Sequence, residues 1–320
     1  MTQQAHTVPP DVEYHRVLAG ERRRIGRGIL AIVLLIVGMT LSGVALSLMA
    51  AFVDAAIDTD GRAEWTPLMH AAGMVSVALV IPWSMLIQRW LYGLRGPSLH
   101  SVISRFRFDI FGRALLLITP AWVAVMAFHY WVPLPQTEWS YTDVLWILLA
   151  TLLLTPLQAA GEEYGFRGLI FRVAGGWTRG ARAGLAVGVL VSSVAFAVVH
   201  LSTDIWLNLW YLIFGVGLTL ITWRTGGIEI AVVLHATYNT LSFVFDAALR
   251  TDIGNVVTDR AAGAATIGVL VPSAVVVITA LVVGMRTRRS GPTRTPHSAA
   301  ARPASALSGA QLAGSQRWPS

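Results

Sequence analysis

Eight stretches of this chain carry no Asp, Glu, Lys or Arg: 28–53, 65–88, 114–137, 144–161, 183–203, 205–223, 230–245 and 261–285. Most of them reach the roughly 17–25 apolar residues that a helix needs to cross a bilayer. Lipid offers no partner for an unpaired backbone group, so a helix is the default spanning element. The patterning therefore predicts an all-α polytopic membrane protein with about eight transmembrane helices. The run at 230–245 is short, but it extends through Gly226 and Ile228 at one end and Ala247 at the other. Charged residues make up 13% of the chain, about half of the roughly 25% usual in soluble domains, which disfavours a soluble enzyme. With no cysteine, a disulfide framework, thiolate catalysis and a thiolate metal site are all absent.

The basic residues set an orientation. All 24 are arginine, and with a cytoplasmic N-terminus and alternating spans 21 of the 24 fall on the cytoplasmic side, leaving only Arg62, Arg250 and Arg260 outside. The positive-inside rule favours that assignment, so both termini are expected in the cytoplasm and the protein in the cell membrane. The net charge of +7 then reflects topology and a basic tail, with no nucleic acid as partner. Trp65, Trp90, Trp131, Trp139, Trp206 and Trp223 lie near the expected helix ends, where an amphipathic ring suits the headgroup layer. The first apolar stretch is too long for a signal-peptide core and reads as a retained span.

Four regions follow from this layout: a cytoplasmic N-terminal segment (1–27), three helices with a basic cytoplasmic loop (28–140), a membrane core (141–285) and a tail (286–320). The loop at 93–113 alternates basic and aromatic residues, as an ordinary positive-inside connection or a surface-lying patch would. The tail is rich in Arg, Pro, Ser and Ala without apolar periodicity, and is expected to be a disordered, basic cytoplasmic extension.

Ionisable residues within spans are costly and mark function by default. Two adjacent carboxylates, Glu162 and Glu163, stand at the end of the fourth apolar run. Glu163 and Arg167 are four apart and can pair on one helix face. Glu162 points about 100° away and is left to face something else. The next run ends in Phe196-Ala-Val-Val-His200, and the seventh contains His235-Ala-Thr-Tyr-Asn239. Each could be an interfacial pair or polar glue between helices. Together they supply a carboxylate, two imidazoles and an amide. A desolvated glutamate can act as general base on water. Two histidines and a carboxylate can hold a divalent metal with a position open for that water. Proton relay is the other chemistry this set supports.

Glu-Glu-x-x-x-Arg (162–167), Phe-x-x-x-His (196–200) and His-x-x-x-Asn (235–239), in this order on separate helices, resemble the three motifs of the CPBP family. These are the CAAX-protease and bacteriocin-processing (Abi) intramembrane endopeptidases, related to the Rce1-type prenyl-protein proteases. The resemblance covers roughly 140–250 and implies a catalytic membrane core within 141–285. It implies Glu162 as activator of the attacking water and His200 and His235 as residues that orient the water or bind metal. Asn239 would stabilise the oxyanion, with Glu163, Arg167 and Phe196 in support. Zn2+ or another divalent metal on Glu162, His200 and His235 is the implied cofactor set, against a metal-free glutamate-activated water. The implied substrate is a peptide or membrane-protein segment, hydrolysed in a cavity open to the cytoplasm. A non-catalytic membrane protein that binds a partner, of the immunity type, and a proton-coupled transporter are the alternatives.

One tension accompanies this reading. At about 1.5 Å per residue, a fourth helix that stops near Gly165 leaves Glu162 too shallow to meet His200. The expected remedy is a helix that continues to about Gly175, supported by the apolar run Gly168–Phe171.

Overall fold

A computed structural model describes residues 8–21, 23–57, 65–131, 136–252 and 265–297. Among these, eight helical units are long and apolar enough to cross a membrane, and there is no strand. α1 (Ile25–Ile57) is followed by α2 (Pro67–Ala78) and α3 (Val80–Tyr92), which make one span interrupted at Leu79. Pro82 accounts for the interruption, because it cannot donate to the carbonyl of Ala78. α4 (Phe108–His129) comes next. α5 (Tyr141–Glu163) then runs through a π-helical segment, Tyr164–Ile170, into α6 (Phe171–Gly175). α7 (Ala181–Val198), α8 (Ile205–Thr225), α9 (Glu229–Leu249) and α10 (Ser273–Arg286) complete the bundle.

The helix starts follow local chemistry. Ser140 accepts from the Asp143 amide while Asp143 accepts from the Ser140 amide, a reciprocal cap that opens α5. Asp204 accepts from the Trp206 and Leu207 amides and opens α8. α4 begins at Phe108, six residues before its charge-free run, because Asp109 and Arg113 pair at 2.6 Å on an exposed face. α7 stops at Val198, so His200 stands just beyond a helix end.

Tyr141–Gly175 is a single 35-residue helical path, which removes the depth conflict: the fourth helix does continue to Gly175. Every residue from Gly161 to Gly175 is buried, with α2, α3, α7 and α9 packed around this central rod. The rim helices turn apolar side chains outward, as in Leu41, Phe52, Leu117 and Leu153, which is the pattern a lipid solvent selects. Trp90 and Trp131 are exposed near helix ends. Trp139 instead packs against Ile147 and Ala247, and the Trp223 indole donates to Glu13.

The arginine-rich end of the bundle is closed by chain. Tyr14 donates to the Leu99 carbonyl, and Arg16 donates to the carbonyls of Gly175 and Thr178 at the end of α6, where a cation satisfies orphan acceptors. Burial lowers the basicity of His15, whose Nε2 donates to the Ala181 carbonyl at 3.0 Å. The 93–107 connection is also packed rather than a free basic loop. Arg107 pairs with Glu229 at 2.6 Å, and the Val102 amide donates to Gly226, the left-handed residue that ends α8. The expected disordered tail departs from the sequence reading as well: its first part is ordered. Thr295 bonds Pro9, Asp11 and Val12, and Thr293 bonds Arg224. Residues 298–320 lie outside the described residues.

Gly161 lies where α5 crosses α2, and a Cβ there would overlap the Val77 carbonyl oxygen. Gly161→Ala is therefore expected to cost about 1–3 kcal/mol, seen as a lower unfolding midpoint in detergent. Gly43→Ala, which meets nothing within 4 Å, should be neutral or stabilising by up to about 1 kcal/mol.

Candidate active site

A cavity of about 490 Å3 runs from the middle of the bundle to one end. Glu162, Gln158, His235 and Asn239 line its inner part, while Trp65, His129, Tyr130, Leu207 and Ala265 line it toward the end. Aromatic rings from α7, α8 and α9 form much of the wall, including Phe196, Trp210, Tyr211, Phe214 and Tyr238. The end it reaches carries the start of α2, the end of α4 and the start of α8. The arginine-rich loops are at the other end. A cytoplasmic arginine face and a cavity open to the cytoplasm, both expected from the sequence, are therefore incompatible with each other.

The structure brings the motif residues together. Glu162 is 9% exposed and lies on the cavity wall. Its Oε1 accepts from the Gln158 amide at 2.5 Å, and its buried Oε2 has no hydrogen-bond partner. Asn239 Nδ2 donates to Gln158 Oε1 at 3.0 Å, so one amide joins Asn239 to the carboxylate. Gln158 is the residue that motif reasoning missed. It sits four before Glu162 on the same helix face, and with Thr151 and Thr155 forms a buried polar stripe on α5. A polar stripe of that period in a charge-free run was a readable signal.

Glu163 faces elsewhere and is fully buried. Its Oε1 accepts from Arg167 Nη1 at 2.8 Å, the expected pair, and meets His235 Nδ1 at 2.7 Å. The Arg167 guanidinium lies 4.2 Å from the centroid of the Phe196 ring, a cation–π contact in a desolvated setting. Phe196 also stands edge-on to His200 and His235, with ring centroids 4.8 and 5.8 Å apart. His200 Nδ1 bonds the Phe196 carbonyl at 2.7 Å. A carbonyl can only accept, so Nδ1 carries the hydrogen, and Nε2 is the acceptor of the neutral ring. The His200 ring stacks on Tyr211 at 3.9 Å.

The donors do not assemble as a metal centre. Among the described residues, no group of three or more His, Asp or Glu side chains is arranged to hold an ion. Glu162, His200 and His235 thus share a cavity without forming the expected three-ligand set.

Residues 142–241 match the family described as "Type II CAAX prenyl endopeptidase Rce1-like". The matched segment is similar to that family. It spans α5 to α9 and contains all three motifs together with Gln158. Over 110 residues the chain is 34% identical to "Uncharacterized protein YyaK" of Bacillus subtilis (strain 168). That match takes in 34% of this chain and 37% of the relative, so the chain spans little more than a third of the relative's length. No solved structure matches. The Rce1-like segment and the eight apolar helices together make this a multi-pass membrane protein.

Breaking a buried ion pair from one side leaves a charge without a partner. Arg167→Ala is expected to lower stability by about 3–5 kcal/mol, measured by chemical unfolding in detergent. Arg113→Ala removes an exposed pair of the same spacing and should cost less than about 1 kcal/mol.

Proposed function

We propose that the Rce1-like core is an intramembrane endopeptidase that hydrolyses a peptide bond with a water activated by Glu162. The observation that carries this is the state of Glu162: a buried carboxylate on the cavity wall, held through Oε1 by Gln158, with Oε2 unbonded. His200, His235 and Asn239 line the same cavity. The match of 142–241 to an endopeptidase family supports the same class of reaction.

In this reading Glu162 takes a proton from water, and the resulting hydroxide adds to the scissile carbonyl carbon. Negative charge develops on the carbonyl oxygen, where Asn239 can offer the amide N–H not given to Gln158. His235 is held on Glu163 through Nδ1, which turns Nε2 into the ring's working nitrogen. With its Nδ1 hydrogen donated to Glu163, His235 can accept from the attacking water at Nε2 and orient it towards the carbonyl carbon. The C–N bond then breaks, and the departing amine takes the proton held by Glu162. Phe196, Phe214 and Tyr211 keep bulk water from the inner end, which strengthens each of these contacts. The substrate class is a peptide or a membrane-protein segment, because the aromatic wall suits an apolar polypeptide stretch.

Glu162→Gln keeps the shape and removes the base. It is expected to lower the rate of peptide release by about 10²–10⁴-fold with unfolding and abundance unchanged, as read by comparing new N-termini in wild-type and variant membranes. Processing at the wild-type rate in that variant would sink the assignment. Activity lost in chelator and restored by Zn2+ would replace glutamate activation with a metal-held water.

A further inference from the structure

The cavity and the arginines lie at opposite ends of the bundle. The described segments at the cavity end, 54–57, 65–66, 130–131, 136–143, 199–205, 246–252 and 265–266, hold six acidic residues and one arginine. Those at the other end, 8–21, 23–27, 89–113, 172–182, 224–229 and 286–297, hold 17 arginines and five acids. Short loops with such a bias are retained on the cytoplasmic side. The cytoplasmic end is also shut. Tyr14, His15 and Leu99 are fully buried there, and Arg16 and Arg107 tie the covering segments to helix ends. Glu162 stands 13 residues from Gly175, about 20 Å of helix above that closed face.

At the cavity end, polar bonds accompany the Trp139 cluster. Tyr130 bonds Asp246 at 2.8 Å, Asp204 accepts from the Ala265 amide, and Asp54 accepts from Thr66 next to Trp65. A hydrolase needs both water and substrate at Glu162, and the lining of the cavity runs from Glu162 to Trp65, His129 and Tyr130 at this face.

We infer that the site takes its substrate from the extracytoplasmic side: a polypeptide segment that has already been translocated or inserted, with its scissile bond outside or within the outer half of the membrane. The inference rests on the protease reading and narrows it. Translocation across the membrane is the step that must supply the substrate. A polypeptide end displayed on the cytoplasmic face, lipidated or not, meets the closed end of the bundle.

The chain has no cysteine, so a single introduced thiol reports on its own position. Leu201→Cys lies on an 81% exposed residue at the cavity end, Ser242→Cys lies in the cavity wall, and Ser290→Cys is exposed at the arginine end. Each full-length variant is reacted with a charged, membrane-impermeant methanethiosulfonate in right-side-out and inverted vesicles. Leu201→Cys and Ser242→Cys should react at least tenfold faster in right-side-out vesicles, and Ser290→Cys at least tenfold faster in inverted ones. Reaction of Ser242→Cys and Leu201→Cys confined to inverted vesicles overturns the inference. The labelling needs no catalysis, so the same pattern in a Glu162→Gln background separates the sidedness of the cavity from failure of the protease reading. A quenched peptide added outside right-side-out vesicles should be cleaved by the wild type and not by Glu162→Gln, whereas cleavage confined to inverted vesicles also overturns it.

Discussion

The ion pair between Glu163 and Arg167 lets a carboxylate dipeptide occupy the centre of a membrane bundle. An isolated carboxylate in a medium of low dielectric costs far more than a single packing contact returns. Glu163 avoids that by accepting from Arg167 and His235 at once. The pair sits in a stretch of 15 residues, 161–175, with every residue buried. Its partners come from α9 and, through the Phe196 face, from α7. Three helices are thus locked to one another by a charge that none of them could bury alone.

That arrangement frees the neighbouring glutamate. Adjacent side chains on a helix diverge by about 100°, so once Glu163 is fixed in the core, Glu162 is turned onto the cavity wall. The π-helical segment begins at Tyr164, directly after the pair. Such segments recur at functional sites, and here it carries the rod onward to Gly175 without a break. The two carboxylates therefore differ in kind. One accepts from Arg167 and His235 in the core, while the other lies on the cavity wall and accepts from Gln158.

Much of this is legible in the sequence. Spans follow directly from charge-free runs because lipid penalises charge and unpaired backbone everywhere along a helix. The Glu163–Arg167 pair follows from spacing, and the convergence of Glu162, His200, His235 and Asn239 on one cavity follows from motif order. Other features are hidden because they depend on three-dimensional partners. Gln158 looks like one polar residue in an apolar run until Asn239 and Glu162 are seen on either side of its amide. Which glutamate meets His235 depends on the rotation of α9 against α5, a property of packing rather than of spacing. The order of residues 287–297 arises from contacts with 9–12 and Arg224, nearly the whole chain length away. The expected metal set depends on geometry rather than on residue type: Glu162, His200 and His235 share the cavity, but no group of three such side chains is arranged to hold an ion among the described residues.

Hydrolysis inside a bilayer has conflicting needs, since it consumes water yet works best where water is scarce. Under the proposed protease reading, the bundle would answer this with depth. Its inner end is walled by Phe196, Phe214 and Tyr238, and its polar groups are tied in a line from Asn239 through Gln158 to Glu162. Toward the other end the lining becomes His129, Tyr130 and Asp246, groups that tolerate an aqueous boundary. A gradient from wet to dry along one cavity can admit a few waters and an extended polypeptide while holding the carboxylate in a poorly solvated place. The closure of the arginine end then has a chemical consequence as well as a topological one. A second opening there would bring bulk water to the underside of Glu163 and Arg167, raise the local dielectric, and weaken the ion pair that orients the site.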